Sequence, residues 1–307
     1  MQPKDYSKSI LQKFSDTWRH YTSKIILPGL DGLTFFDLWE IYSGGIIKGT
    51  FSTRASAVAF SFFMALFPFL LFMLNLIPYI NFIDDFQLQF LVFMDSLLPP
   101  TTSDFFNDIF LDIANTPRGG LLSVSFLLSI FLMTNGVNAI FTGFEFSYHT
   151  NANRSLVKQY IVAIGVSIVM ALLLLITVIL AVYLSYAVDD LSTLGSFGNN
   201  KTWTLIIKYV ILILLIYIAV ATLYYFGTKE GKQARFLSMG ATFTTILMVL
   251  TTYLFGLYIE NFARYNELYG SIGALLVMMV YIWINSNILL LGFELNASLI
   301  KMKKNLK

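Results

Sequence analysis

Hydrophobic residues in this chain run in long uncharged blocks, not in the alternation of a strand or the one-sided stripe of a soluble helix. Charge-free windows cover residues 55–83, 119–144, 159–188, 209–228, 236–259 and 268–293, the last continuing past one acidic residue to 300. About 20 apolar residues at 1.5 Å per residue cross roughly 30 Å of hydrocarbon. The pattern predicts an all-α integral membrane protein of six transmembrane helices, forming one membrane domain over residues 51–300. Tyr79, Tyr160, Tyr186, Trp203, Tyr224, Tyr258 and Tyr269 fall near window ends, where an amphipathic ring prefers the headgroup level.

Between and before the windows the period changes to that of amphipathic helices. After a Thr34-Phe-Phe-Asp37 capping pattern, Phe35, Leu38, Trp39, Tyr42 and Ile46 share one face, which predicts a short interfacial helix in an N-terminal segment over residues 1–50. Phe86, Phe90, Phe93 and Leu97 form a second stripe. After Pro99-Pro100, Phe105, Phe106, Ile109, Phe110 and Ile113 form a third, so residues 84–116 are expected to carry amphipathic helices outside the membrane. Asp104, Asp108 and Asp112 stack opposite that last stripe. They read as a solvated acidic face, with a divalent cation as the alternative.

Basic residues orient the spans, because loops rich in Lys and Arg stay cytoplasmic. Lys4, Lys8, Lys13, Arg19, Lys24, Lys48 and Arg54 precede or open the first span, and Arg154 and Lys158 follow the second. Lys229, Lys232 and Arg235 follow the fourth, and Lys301, Lys303, Lys304 and Lys307 form a basic tail over 301–307. The other side holds only Arg118, Lys201 and Arg264, with Lys208 at the outer end of the fourth span. Both termini are therefore expected in the cytoplasm. Residues 1–50 lack an apolar core of signal-peptide length, so the first span reads as an internal signal-anchor.

Composition adds exclusions. With 57% hydrophobic and 12% charged residues and mean hydropathy +0.71, the chain could not cover a soluble surface. A net charge of +2 gives no footprint for nucleic acid, and the absence of cysteine removes disulfides, thiolate catalysis and Cys-based metal sites. His20 and His149 lie apart without carboxylates at helical spacing, and Gly44-Gly45 and Gly119-Gly120 lack the context of a phosphate-binding loop. No enzyme, metal or cofactor is expected.

Polar residues inside the spans carry the functional signal, since each is costly in hydrocarbon. Glu294 lies seven residues before Lys301, roughly 10 Å of helix from the cytoplasmic boundary. Arg54 is its expected partner, either as a structural ion pair between spans one and six or in direct handling of a substrate or proton. Asn135, Asn138, Thr142 and Glu145 share one face of span two, and Asn287, Glu294 and Ser298 one face of span six, with Asn285 nearby. Convergence of these two faces predicts a polar cavity open to the cytoplasm. Pro68 is expected to kink span one, and Gly270, Gly273 and Ala274 to mark close packing.

Three stretches carry a family likeness. They are Arg54-Ala-Ser-Ala-Val-Ala-Phe-Ser-Phe-Phe-Met-Ala-Leu-Phe-Pro68-Phe-Leu-Leu; Thr134-Asn-Gly-Val-Asn138-Ala-Ile with Tyr148-His-Thr and Arg154; and Tyr265-Asn-Glu-Leu-Tyr-Gly270-Ser-Ile-Gly with Leu291-Gly-Phe-Glu294-Leu-Asn-Ala. Over residues 35 to 300 the chain resembles the YihY/virulence factor BrkB family of bacterial inner-membrane proteins, formerly labelled ribonuclease BN-like. The resemblance implies six spans and a candidate transporter, with links to lipid or lipopolysaccharide-precursor handling and envelope resistance. It also carries a tRNA-processing label that no residue pattern here supports.

The resulting expectation is a carrier or presenter of an anionic amphiphile, such as a phospholipid or lipid precursor, in a cavity lined by spans one, two and six. Arg54 would attract the headgroup, Glu294 would hold it, and Asn135, Asn138, Asn285 and Asn287 would add neutral hydrogen bonds. Membrane lipids are the expected partners, with oligomerisation open and nucleic acid not expected. The alternative is a scaffold that meets envelope proteins through residues 84–116.

Overall fold

The computed structural model describes residues 50–76, 119–145, 154–193, 200–229, 231, 236–262 and 271–305. The expected interfacial helix, the 84–116 segment with its Asp104, Asp108 and Asp112 face, and residues 265–270 lie outside them. The described residues form α1 Thr50–Leu76, α2 Gly119–Glu145, α3 Leu156–Thr193, α4 Asn200–Gly227, α5 Met239–Phe262 and α6 Ser271–Asn305. All six are long and apolar enough to cross a membrane. Several outrun their charge-free windows. α4 begins before Lys201 and α6 runs past Glu294 and Lys301 to Asn305. Helix geometry tolerates a charged residue at the bilayer margin that a strict charge-free window rejects. α1 continues past Pro68 to Leu76.

The helices form a closed ring: each packs on the next in chain order, α6 closes on α1, and α2 also reaches α4 and α6. On α1 the buried side is Phe51, Ala55, Val58, Ala59, Ala65 and Phe69, which recur at helical spacing along one side. Its alanines let α2 approach closely. α6 changes character along its length, with Leu275, Leu276, Val280 and Trp283 exposed and every residue from Gly292 to Leu299 buried. A helix buried on all sides has become the core of its own bundle.

One end of the ring holds Arg54, Glu145, Arg154, Ser238 and Asn296 and is called here the arginine end. An aromatic cluster fills it. Phe144 stacks on Phe293 with ring centroids 4.0 Å apart and planes at 10°, and Tyr224 meets both edge-on at 5.6 and 5.8 Å. Tyr224, expected at the headgroup level from its position near a window end, is instead buried. Its hydroxyl donates to the Leu289 carbonyl at 2.7 Å and lies 2.6 Å from Thr244 Oγ1, tying α4, α5 and α6 together. These hydrogen bonds let a Tyr sit inside without an unsatisfied hydroxyl.

The same junction sets the spacing of α5 and α6. A Cβ at Gly292 would overlap Thr244 Oγ1 and stand 2.5 Å from the Tyr224 hydroxyl, whereas one at Gly165 or Gly256 would meet nothing within 4 Å. Gly292→Ala should therefore lower stability by about 1–3 kcal/mol through overpacking. Gly165→Ala should not lower it. Thermal unfolding of the detergent-solubilised variants checks this, and equal midpoints for the two would refute the close packing.

Candidate functional site

Arg54 sits about one turn inside α1, where helix geometry brings it opposite the ends of α2 and α6. Its Nη1 donates to the Gly143 carbonyl at 2.9 Å, and its Nη2 lies 3.8 Å from Glu294 Oε1. The two side chains are 14% and 9% exposed, so the pair is nearly dry. The Phe51 ring backs the guanidinium, 5.4 Å from its centroid to Arg54 Cζ. Gly143 is within the last turn of α2, where carbonyls have no intrahelical donor. A guanidinium there satisfies one of them and complements the negative end of the helix dipole. At 3.8 Å the carboxylate contact is ionic, without the 2.7–2.9 Å geometry of a charge-assisted hydrogen bond.

A second arginine does the same for α4. Arg154, just before α3, donates from Nη1 to the Phe226 carbonyl at 2.6 Å, while its backbone N–H donates to Glu145 Oε1 at 3.1 Å. Burial pushes its guanidinium below the usual arginine range, and the Glu145 carboxylate opposes that shift. Gln159 completes this corner. With its amide nitrogen turned to Glu145, at 3.0 and 3.2 Å, its oxygen accepts from Thr142 Oγ1 at 3.1 Å and lies against the Asn138 amide at 3.0 Å. Deeper in the same seam Tyr160 donates to Asn135 Oδ1 at 2.9 Å, and Thr134 meets Ser167 at 2.9 Å. At the base of α5, Asn296 of α6 accepts from the Gly240 N–H at 2.8 Å and donates to the capping Ser238 at 2.7 Å.

The polar faces of spans two and six therefore do not converge. Asn135 and Asn138 turn to α3, away from Glu294, while α2 buries Phe141 and Phe144 on the side of α4 and α6 and Met133 and Val137 nearer α1. Asn287 donates to the Trp283 carbonyl at 2.7 Å, one turn from where the Trp283 indole donates to Ser56 at 3.1 Å in the α1/α6 seam. Of the sequence-predicted set the structure brings together Arg54 and Glu294 only. Arg154, Gln159, Tyr224 and Asn296 were missed as site residues. The available signals were the position of Arg154 and Gln159 at helix ends and the placement of Asn296 two residues from Glu294.

A cavity of about 320 Å³ lies at the level of Val58 and Phe62 in α1 and Tyr281–Leu289 in α6. All six helices line it, through Met133, Met170, Thr177, Ala219 and Met248 among others. Asn285 is the one predicted site residue on its wall; its Nδ2 donates to the Tyr281 carbonyl at 2.9 Å. Among the described residues no group of three or more His, Asp or Glu side chains could hold a metal ion.

A closed ring of six spanning helices defines a polytopic α-helical membrane protein. The model of the family described as virulence factor BrkB matches residues 45–307, and the chain belongs to that family. It is 29% identical over 254 residues to the ribonuclease-like protein YfkH of Bacillus subtilis, covering 82% of this chain and 91% of the relative. It is 22% identical over 275 residues to a UPF0761 membrane protein of Psychrobacter, covering 87% of this chain but 49% of that one. A UPF0761 membrane protein of Glaesserella parasuis matches at 23% identity over 200 residues, 65% and 67% of the two chains. No solved structure matches.

Removing one member of a buried ion pair strands the other. Glu294→Gln and Arg54→Gln should each cost about 3 kcal/mol, and the double variant clearly less than their sum. Chemical unfolding in detergent measures this cycle. Additive losses would show that the two charges do not interact.

Proposed function

We propose that the protein is a carrier for an anionic amphiphile in the bacterial inner membrane, with both termini and the arginine end on the cytoplasmic side, and in a state closed at that end. The observation that carries this reading is the cavity to which all six helices contribute, followed along the helices by an arginine end that the Phe144–Phe293 stack and the Arg54–Glu294 pair fill. A helix junction built only for scaffolding would gain by filling such a volume, since cavities destabilise in proportion to their size. Carriers need a volume that is empty in one state and filled in another.

Arg54 has the chemistry of a latch. Its contact with Glu294 is 3.8 Å long, longer than a charge-assisted hydrogen bond. A phosphate or similar headgroup offers more acceptor oxygens in better geometry and would displace the carboxylate. The excess of Lys and Arg on the proposed cytoplasmic side would raise the local concentration of anionic lipid. Asn135 and Asn138, bonded to α3, take no part.

Two outcomes are expected. Arg54→Gln should lose co-purifying anionic lipid, whereas Glu294→Gln, which releases Arg54 from its competitor, should retain more than the parent, and Asn138→Leu should retain the same. Phospholipid analysis of monodisperse protein reads this, and Arg54→Gln and Glu294→Gln moving in the same direction would refute the latch. For orientation, a reporter active only outside the cytoplasm should be silent after Lys307 and active within residues 114–117. The reverse pattern would invert the carrier.

A further inference from the structure

We infer that the central cavity receives one hydrocarbon chain of the amphiphile and excludes its headgroup, and that the chain passes in from the bilayer between α3 and α4; this deepens the carrier reading and rests on it. Size is the first argument. The cavity measures about 320 Å³, near the lower end of ligand pockets and roughly twice the ~150 Å³ of an engineered cavity that holds benzene. At about 30 Å³ per water-sized group it takes roughly ten methylenes, a stretch of one chain.

The wall chemistry is the second argument. None of the lining residues is charged, and each of the four polar ones spends a donor on a neighbouring protein oxygen. Thr177 Oγ1 donates to the Leu173 carbonyl at 2.7 Å, Ser286 Oγ to the Ile282 carbonyl at 2.8 Å, and Asn285 Nδ2 to the Tyr281 carbonyl. The Tyr281 hydroxyl pairs with Thr252 Oγ1, whose own proton goes to the Met248 carbonyl. What these groups present to the cavity is therefore acceptor oxygen and at most the second N–H of the Asn285 amide. An anionic headgroup would meet lone pairs and no cation in a low-dielectric space, which burial of charge forbids. A hydrocarbon chain meets Met133, Met170, Met248 and Leu223, and flexible methionines accommodate irregular apolar shapes.

Access is the third. Leu174 of α3 and Ile216 of α4 line the cavity and are also 41% and 36% exposed, so in this seam the cavity wall is also the outer surface of the ring. α4 is loosely held on its other side too, where a groove of about 360 Å³ runs along Val210, Ile213 and Tyr217 against α5. A helix with open volume on both flanks can shift without breaking a packed core.

Photo-crosslinking of the full chain in detergent tests this with two single-chain probes, a fatty acid and a farnesol, each carrying a diazirine at the end of its chain. Adducts are expected on Met133, Met170, Met248 or the 215–223 stretch of α4, with the more reactive probe distinguishing an acyl from an isoprenyl source. Ala219→Leu, which fills the cavity, and Leu174→Trp, which blocks the seam, should each cut the yield at least tenfold. Adducts confined to the α4/α5 groove, or unchanged yields in both folded variants, would overturn the inference. A lipid-movement assay in vesicles separates it from the carrier reading. Cavity adducts in a protein that moves no lipid sink the carrier alone, and lipid movement without cavity adducts sinks the chain site alone.

Discussion

Helix ends that stop inside or near a bilayer leave backbone N–H and C=O groups that neither the helix nor water satisfies, and the arrangement of the arginine end follows from that constraint. Arg54 takes a terminal carbonyl of α2, Arg154 one of α4, and Asn296 an N–H of α5. In each case the capping side chain comes from outside the helix it caps. Helix termination and ring assembly are thus one event, because no such end is satisfied until its neighbour is in place. Glu294 then completes the charge balance of Arg54, as Glu145 does for Arg154.

Concentrating the polar bonds at one end has a mechanical consequence. There, adjacent helices are linked by hydrogen bonds or the ion pair, residues 292–299 of α6 are buried, and glycines at positions 143, 240 and 292 allow contact closer than a side chain would permit. Toward the middle of the ring, packing gives way to the cavity, whose walls depend on dispersion and on seams such as Leu174 against Ile216. The end is specified by directional bonds and the middle by adaptable apolar contacts. A ring built this way is adaptable in the middle and directionally specified at its arginine end.

The fold was legible because hydrocarbon imposes a length and a composition that few other environments impose, and the six windows follow from that alone. Depth was legible as well: Glu294 and Arg54 were matched by their distance from the same boundary. Azimuth was not. Spacing by three and four shows that Asn135, Asn138 and Thr142 share a face, but not whether that face turns to the ring interior or to α3. In soluble proteins the polar face is the outer one by default; in a membrane ring the polar stripe of α2 lies toward its neighbour while Phe141 and Phe144 take the interior. Tyr224 misled for a related reason. A Tyr near a window end has two satisfying environments, the headgroup layer and a buried hydroxyl acceptor, and only the partner carbonyl of Leu289, 65 residues away, decides between them.

The geometry of the Arg54–Glu294 contact bears on whether such an end can open at all. A state that is populated at 0.1–10% lies only a few kcal/mol above the ground state. A bidentate, fully buried pair with every lone pair satisfied would put opening beyond that range. Here the Arg54–Glu294 contact is 3.8 Å long, with both side chains retaining some exposure. Opening therefore exchanges a modest interaction for hydration or for a better anion, while the caps supplied by Arg154 and Asn296 stay in place. On the carrier reading, the long Arg54–Glu294 contact makes the junction of α1, α2 and α6 the place where that end would open.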